Sequence, residues 1–262
     1  MKTSIYYFTA TGNSLYVARL IADGIGDSKL IPIVKTLALV EDVTGERIIL
    51  VFPVYVYRVP RIVARFAARI KKADSICAVV TMGGESGTTF NQLRSILRKN
   101  TLDLNAAYAV KMPDNFFTPY ENAVPDDRRK KKLDEAPGRI TEIVQHIKNG
   151  DKTIEKDTSF FKTWIWPGIM FAAGYTQIPG LGKKSFIVEQ SCNGCGICEK
   201  VCPVGNITMT DGKPVWLDHC ELCLACRHWC PQKAIHFGKT DKGRRSQYRN
   251  PFVTLNDVLG QK

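Results

Sequence analysis

Residues 192–203 read Cys-Asn-Gly-Cys-Gly-Ile-Cys-Glu-Lys-Val-Cys-Pro, and the same spacing returns at residues 220–231 as Cys-Glu-Leu-Cys-Leu-Ala-Cys-Arg-His-Trp-Cys-Pro. Together the two runs contain all but one of the nine cysteines in the chain. Three cysteines separated by two residues each can place their thiolates around one face of a metal cluster from a short loop. The fourth cysteine, set apart by three residues and followed by proline, reaches a second cluster. The runs therefore predict two metal–sulfur sites.

This C-x2-C-x2-C-x3-C-P pattern resembles the cysteine runs of bacterial two-cluster ferredoxins. The resemblance implies two 4Fe-4S clusters whose ligands cross between the runs. One cluster would be bound by Cys192, Cys195, Cys198 and Cys230, and the other by Cys220, Cys223, Cys226 and Cys202. Structural zinc is the alternative, because paired C-x2-C motifs also bind zinc. A zinc site, however, has no use for a third evenly spaced cysteine or for the following proline.

The first 150 residues alternate apolar runs with helical patterns, which predicts an α/β fold with a parallel sheet covered by helices. Five strands are expected, at Lys2–Phe8, Lys29–Ile33, Arg47–Pro53, Ser75–Met82 and Ala106–Met112. Helices are expected at Ser14–Ile25, Pro60–Lys71, Thr88–Lys99 and Asp126–Lys148. Strands joined by helical crossovers favour the flavodoxin-like, doubly wound order 2-1-3-4-5, in which ligands bind beyond the carboxyl ends of the strands.

The loop after the first expected strand has the composition of a phosphate site. It reads Phe8-Thr9-Ala10-Thr11-Gly12-Asn13-Ser14 and runs directly into the first helix. Hydroxyl groups, backbone N–H groups and the positive end of a helix dipole can bind phosphate without a charged side chain. The sequence matches neither the triphosphate loop G-x-x-x-x-G-K-[ST] nor the dinucleotide fingerprint G-x-G-x-x-G.

The same loop closely resembles the flavodoxin phosphate loop T-x-T-G-N-[ST]. This resemblance implies that the phosphate of FMN is bound by Thr9, Ala10, Thr11, Gly12, Asn13 and Ser14. An ordinary helix cap made by threonine and serine is the alternative.

Two later loops are expected to reach the flavin ring, again by resemblance to flavodoxins. The loop after strand three contributes the candidates Val54, Tyr55, Val56 and Tyr57. The two tyrosines are candidates to stack on the ring, with core packing as the alternative. The loop after strand four contributes Gly83, Gly84 and Gly87, where glycine permits close backbone approach. These glycines are assigned on position alone, because the loop lacks the aromatic stacking partner of many flavodoxins.

The whole arrangement resembles the family that fuses a flavodoxin-like domain to a two-cluster ferredoxin. It implies a flavodoxin-like FMN-binding domain at 1–150, an apolar linker at 151–184, a small α+β two-cluster domain at 185–240 and a tail at 241–262. Prolines and glycines in the uncharged stretch Thr163–Gly182 argue against a transmembrane span. Packing of this stretch between the domains is favoured, with interfacial membrane contact as the alternative. The tail is expected to pack back on the first domain.

The length and composition suit a globular protein of two domains in the cytoplasm. The chain has 262 residues, of which 44% are hydrophobic. The start of the sequence lacks the basic and long apolar regions of a secretory signal. Eight cysteines committed to metal fit a reducing compartment low in oxygen, as in an anaerobe. Cys77, inside an apolar run, is expected to be an inert core residue.

The formal net charge of +12 predicts a basic surface. Cluster thiolates and a flavin phosphate would reduce this charge to about +6 without cancelling it. A basic surface favours an acidic redox partner, such as a ferredoxin, a flavodoxin or a reductase, with peripheral contact to an anionic membrane as the alternative. Nucleic acid is not expected, since no nucleic-acid module surrounds the densest patch, Arg128–Lys132. That patch is interpreted as a solvated helix face.

These features favour an electron carrier, because iron–sulfur clusters pass single electrons and a flavin takes one or two. The alternative is a flavin-dependent reductase of a small molecule, with Tyr57, Glu85 and Asn115 as candidate proton donors. No catalytic set is recognised among them. A cluster-containing sensor would explain the basic charge but would leave the flavin site without a use. Arg227 and His228, beside Cys226, are interpreted as solvated surface residues, with positive charge that raises the potential of the second cluster as the alternative.

Overall fold

The computed structural model describes residues 1–39, 41–115, 126–155, 186–237 and 247–262. Its first half is a five-stranded sheet flanked by helices. The strands are β1 (Thr3–Tyr7), β2 (Ser28–Pro32), β3 (Val43–Pro53), β4 (Ile70–Met82) and β5 (Ala106–Lys111). Their order is β2-β1-β3-β4-β5, and every neighbouring pair is parallel. The predicted doubly wound, flavodoxin-like order is confirmed.

The helices of this half are α1 (Asn13–Ile25), α2 (Ile33–Ala38), α3 (Arg61–Ala67), α4 (Thr89–Arg98) and α5 (Asp126–Asn149). Several predicted boundaries were wrong: β3 and β4 begin at Val43 and Ile70 and not at Arg47 and Ser75, and α2 was not predicted at all. Ile33 was expected to end the second strand, but it begins α2 directly after Pro32, whose restricted φ suits a helix start. The third helix was expected to reach Lys71, but it ends at Ala67 because Ile70 already pairs with Val43 in the sheet.

The centre of the sheet is buried on both faces. Residues Ile48–Phe52 of β3 and Ile76–Val80 of β4 are at most 4% exposed. Such continuous apolar runs are typical of parallel strands with helices on both sides. Cys77 lies in this core, and burial raises the pKa of its thiol to about 12. The thiol is therefore protonated and inert at neutral pH, as the sequence predicted.

The cysteine-rich region forms a small α+β unit. Its strands β6 (Phe186–Val188) and β9 (Ile235–Phe237) pair antiparallel, as do β7 (Ile207–Thr210) and β8 (Lys213–Trp216). Two short helices, α6 (Ile197–Val201) and α7 (Ala225–His228), carry cysteines, and α8 (Leu255–Leu259) lies in the tail. Residues 221–230 are all buried. This second cysteine run is therefore an interior segment and not a surface loop.

The cysteine region and the tail share a core with the sheet. Val201, Ala225 and Trp229, and Val253 of the tail, belong to the same buried cluster as the strands. The tail was expected to pack on the first half, and its Phe252 does stack on Tyr16 of α1, with ring centroids 4.9 Å apart.

Most of the predicted linker, including Thr163–Gly182, lies outside the described residues. Residues 153–155 continue the first half, because backbone hydrogen bonds join Thr153 and Glu155 to Ala107 of β5. The domain boundaries themselves stay predictions. Among the described helices, none combines the length and the apolar character needed to cross a membrane.

Candidate flavin and cluster sites

The predicted phosphate loop lies between β1 and α1 and is buried, with Gly12 at φ 100° as the N-cap of the helix. The Gly12 N–H bonds the Thr9 hydroxyl at 3.1 Å. Five other backbone N–H groups have no hydrogen-bond acceptor among the described residues: those of Ala10, Thr11, Asn13, Ser14 and Leu15. Buried donors without partners are costly, and an anion at a helix N-terminus would satisfy them. The donor set therefore fits a phosphate group.

The loop hydroxyls keep some donor capacity. Thr11 Oγ1 accepts a hydrogen bond from the Asn115 side-chain amide at 3.2 Å, so its own proton remains available. Ser14 Oγ and Thr81 Oγ1 are 2.8 Å apart and share one hydrogen bond, which leaves one of the two protons free. Both hydroxyls could thus donate to an anion without breaking a present contact.

A cleft opens beside this loop at the carboxyl ends of β1, β3, β4 and β5, where the doubly wound fold predicts a ligand. Including the open space at its mouth, it measures about 370 Å³. It brings together these predicted site residues: Thr9, Ala10, Thr11, Asn13, Ser14, Val54, Tyr55 and Gly83. Gly12, Val56, Tyr57, Gly84 and Gly87 do not line it. Asn115 does, whereas the other two candidate proton donors, Tyr57 and Glu85, do not.

Tyr55 lies between the cleft and the second cysteine run. Its ring packs edge-on against Phe8, with centroids 6.2 Å apart. Burial raises the pKa of its hydroxyl, and negative charge on Cys223 and Glu221 raises it further. Stacking of Tyr55 on a flavin stays a prediction.

Tyr57 and Gly87 instead pack on each other. Val56 and Tyr57 have left-handed backbone, with φ of 48° and 63°, in a tight turn. The Tyr57 carbonyl accepts hydrogen bonds from the backbone and hydroxyl of Thr88. A Cβ on Gly87 would lie 2.5 Å from the Tyr57 Cβ, so this glycine allows the two loops to meet.

The patch Arg128–Lys132 was interpreted as a solvated helix face, which is right for Arg128, Lys130 and Lys131. It was wrong for the other two residues. Arg129 lies 5.6 Å from the centre of the Tyr248 ring, and the Lys132 ammonium donates to the Gly83 carbonyl at 2.7 Å. Burial lowers the pKa of Lys132. The reason is helical spacing, because both residues share a face of α5 with the buried Ala136.

Four cysteines line one cavity of about 290 Å³: Cys192, Cys195, Cys198 and Cys230. Burial raises the pKa of the Cys198 thiol to about 11, and charge on Cys230 and Cys195 also acts to raise it. Cys230 thus lies with the first run, although it belongs to the second.

The remaining four cysteines lie near enough to one another that charge on one raises the thiol pKa of another. Burial raises the pKa of the Cys223 thiol, and charge on the nearby Cys202 raises it further. The pKa of Cys226 is raised in the same way, by burial and then by charge on Cys223, Cys220 and Cys202. Thiolates this close need cationic metal to be stable.

The two cysteine runs have matching local structure. The backbone N–H four residues after the last cysteine of each run points at its sulfur, from Asn206 to Cys202 at 3.2 Å and from Ala234 to Cys230 at 3.4 Å. Donors of this kind stabilise thiolate ligands and tune cluster potentials. Among the described residues, no three His, Cys, Asp or Glu side chains converge as they would around a single metal ion.

Residues 191–235 match the family model of the 4Fe-4S dicluster domain, a match that includes both cysteine runs. The chain joins a flavodoxin-like fold to a 4Fe-4S dicluster domain. This combination of a flavodoxin-like fold and a dicluster domain is the one that the sequence resemblance implied. A curated relative, one of the subunits of an ion-translocating oxidoreductase complex from Methanosarcina acetivorans, is 44% identical over 50 residues. The matched segment is 19% of each chain, so the fusion spans about a fifth of the length of this relative.

Solved flavodoxins are similar to the first half of the fusion. One from the domain Archaea is 17% identical, with 56% of this chain and 99% of that chain covered and a TM-score of 0.36. The flavodoxin of Megasphaera elsdenii is 19% identical, with 52% and 98% covered and a TM-score of 0.33. The flavodoxin-like assignment rests on the strand order of the sheet.

The phosphate loop and the second cysteine run of the fusion, the two candidate cofactor regions, meet at Trp229 and His228, which the sequence did not single out for this role. The Trp229 indole N–H donates to the Ala10 carbonyl at 2.9 Å. His228 Nδ1 accepts from the Tyr248 N–H at 3.0 Å, so Nε2 carries the proton and donates to the Asn115 carbonyl at 2.9 Å. Arg227 and His228 are 3% and 2% exposed, so their interpretation as surface residues was wrong. Residue type favoured a surface position for these two side chains, and only the fold shows that they are buried.

Proposed function

We propose that this fusion is an electron-transfer protein with two 4Fe-4S clusters and one FMN, which exchanges electrons with a separate redox protein. When bound, the clusters supply one-electron chemistry and the flavin one- or two-electron chemistry. The observation that carries the proposal is the direct contact between the second cysteine run and the phosphate loop at Trp229 and Ala10. Carriers that exchange electrons need to be close, and this contact brings their binding residues together.

The cluster ligands in this proposal are the two crossed sets. Cys192, Cys195 and Cys198 act with Cys230, because these four line one cavity. Cys202 acts with the second run, because its charge acts on Cys223 and Cys226. Zinc stays the alternative occupant.

The phosphate loop is assigned to FMN. Its buried N–H groups, which lack partners among the described residues, suit one phosphate, and the sequence holds no second nucleotide fingerprint that would favour FAD. The loops that contribute Val54, Tyr55 and Gly83 are assigned to the ring because they line the same cleft. Tyr57 and Gly87, which pack on each other, would then hold these two loops together, and ring contacts by Val56 and Gly84 stay predictions.

The redox partner is proposed to be acidic, because the chain carries a formal net charge of +12. A ferredoxin, a flavodoxin or a reductase would suit, and a reducing cytoplasm is the proposed compartment. Reduction of a small molecule is not favoured by the cleft, since only Asn115 of the three candidate proton donors lines it.

Cofactor analysis of protein purified without oxygen tests the proposal. We expect about eight iron and eight sulfide per chain for two four-iron clusters. Heat denaturation should release FMN, identified by chromatography, in about one equivalent per chain. Stoichiometric zinc with little sulfide would overturn the cluster assignment, and FAD or no flavin would overturn the assignment of the loop.

A further inference from the structure

The tail segment, residues 247–262, forms hydrogen bonds with the backbone of the phosphate loop. Asn250 N–H donates to the Thr11 carbonyl at 2.8 Å. The Gln261 side chain pairs with the backbone of Thr9 in both directions: its amide donates to the Thr9 carbonyl at 2.9 Å, and its oxygen accepts from the Thr9 N–H at 3.3 Å. These contacts join residues more than 200 positions apart.

Three consecutive carbonyl oxygens of the loop thus accept a hydrogen bond from the last part of the chain. The Thr9 and Thr11 carbonyls bond the tail, and the Ala10 carbonyl between them bonds Trp229. The backbone N–H groups of Ala10 and Thr11 stay unpartnered among the described residues. The three carbonyl oxygens therefore accept hydrogen bonds from the protein, while the backbone N–H groups of Ala10 and Thr11 can donate to an anion.

Asn13, the first residue of α1, is also fixed by the tail. Its side-chain oxygen accepts from the Tyr248 hydroxyl at 2.7 Å and from the Asn250 side-chain amide at 3.0 Å. Its side-chain nitrogen donates to the Pro113 carbonyl at 3.0 Å. With both acceptor sites of the oxygen used, this side chain serves to position the loop and the β5 end relative to each other.

The tail leaves no room for a side chain at Gly12. A Cβ there would lie 2.9 Å from the Val253 Cβ and 3.0 Å from the Asn250 Cβ. The tail is itself anchored on α1 by the ion pair between Asp257 and Arg19, and a capping box between Thr254 and Asp257 begins its helix α8. Loop and tail therefore form one packed unit.

We propose that the tail segment is part of the flavin phosphate site, where Tyr248, Asn250 and Gln261 are positioning residues for the phosphate loop. This inference rests on the proposed FMN site. The tail holds the loop carbonyls away from the anion and so keeps the N–H groups in place for it. Without these contacts the loop would have to be ordered when the phosphate binds, which lowers affinity.

Three variants test this inference. Tyr248→Phe removes the hydroxyl that bonds Asn13, Asn250→Ala removes the side-chain amide, and Gln261→Ala removes both bonds to Thr9. The matched control is Asn256→Ala, which truncates an exposed asparagine of the same segment. Cluster-loaded, flavin-free protein is titrated with FMN and with riboflavin, which lacks the phosphate, and binding is followed by flavin fluorescence. Circular dichroism and iron content verify that each variant is folded.

Gln261→Ala and Asn250→Ala should weaken FMN binding about tenfold, and Tyr248→Phe about threefold, because each loses buried hydrogen bonds. Riboflavin affinity should stay within about twofold of the parent, since the ring contacts are untouched. If the parent binds FMN and all three variants match Asn256→Ala, the inference is overturned while the proposed function stands. Equal loss of FMN and riboflavin affinity would also overturn it. A parent that binds no FMN would instead overturn the proposed function.

Discussion

The indole N–H of Trp229 donates a 2.9 Å hydrogen bond to the carbonyl oxygen of Ala10, and both residues are buried. Trp229 lies between Cys226 and Cys230, which the proposal assigns to different clusters, and Ala10 lies in the phosphate loop. One bond thus joins the proposed flavin and cluster regions. Because neither buried group can form a hydrogen bond with water instead, loss of this bond leaves the Ala10 carbonyl unpaired. This costs more stability than the loss of a surface contact.

Replacement of Trp229 by phenylalanine should therefore loosen the phosphate loop. We expect FMN affinity to fall about fivefold to tenfold and the free energy of unfolding to fall by about 1–3 kcal/mol, from the lost bond and the smaller ring. Fluorescence titration with FMN measures the first effect, and thermal unfolding measures the second.

Trp216→Phe is the matched control for this variant. Trp216 is equally buried, but its ring stacks on Phe186 with centroids 4.7 Å apart, and it makes no described hydrogen bond to the loop. Its replacement should leave FMN affinity unchanged. An equal loss of affinity in both variants would mean that the fusion had loosened as a whole.

The sequence predicted the strand order and the loops at the strand ends because these depend on local patterns. Apolar runs predict β3 and β4, and the spacing of the cysteines alone predicts that they are metal ligands. The whole of α2, the end of α3 and the starts of β3 and β4 were missed, because the pairing of Ile70 with Val43 lengthens both strands and ends α3 early. Tertiary pairing of this kind overrides local propensity.

The contacts that complete the candidate site could not be predicted from the sequence. Asn250 and Gln261 are ordinary polar residues of a tail, and their role depends on contacts with Asn13 and Thr9 across most of the chain. Arg227 and His228 suggest a solvated surface by type, yet the fold covers them. The role of these residues depends on burial by segments that are distant in sequence, and not on residue type.

Gly83 and Gly84 should respond differently to alanine. A Cβ on Gly83 would lie 2.5 Å from the Asp114 carboxylate, whereas a Cβ on Gly84 would meet nothing within 4 Å. Because Gly83 and Asp114 both line the cleft, Gly83→Ala should displace the loop after β5 and weaken FMN binding about tenfold or more. Titration with FMN and thermal unfolding measure the effect.

Gly84→Ala is the control and should keep both affinity and stability within about 0.5 kcal/mol of the parent. If Gly83→Ala behaves like Gly84→Ala, the cleft adjusts easily and the loop after β5 does not shape the flavin site.

Cys202→Ala should damage the cluster whose other ligands lie about twenty residues later. We expect iron and sulfide to fall to about half of the parent values, with the cluster of Cys192 retained. Loss of the cluster bound by the first run instead would contradict the crossed ligand sets.

Cys77→Ala is the matched control for cysteine loss and should leave iron and sulfide unchanged. The pKa of Cys77 is raised to about 12 by burial, so the thiol stays protonated in the folded protein well above neutral pH. Iodoacetamide at pH 8 should therefore label Cys77 only after unfolding, as mass spectrometry of peptides would show. Rapid labelling of the folded protein would place Cys77 at an accessible surface and not in the core.

The exposed residues of the basic patch are expected to steer an acidic partner. Reversal of Arg128, Lys130 and Lys131 to glutamate changes the surface, whereas Arg129 and Lys132 face the protein and are left intact. Stopped-flow measurement of electron exchange with an acidic ferredoxin or flavodoxin should give an association rate about tenfold lower at low salt. The rate of the parent should fall steeply with salt, since the Debye length shrinks from about 10 Å at 0.1 M to about 3 Å at 1 M.

The control is a variant with the same change in net charge at other exposed lysines, Lys29, Lys35 and Lys72. Long-range attraction depends on net charge and would slow both variants alike, whereas docking at the patch would slow the first variant much more and flatten its salt dependence. Equal rates in the two variants would contradict docking at α5. The partner surface would then have to lie elsewhere. The face around Cys195 is the next candidate, because Cys195 is an exposed member of the first proposed ligand set and electrons leave most readily where a cluster lies close to solvent.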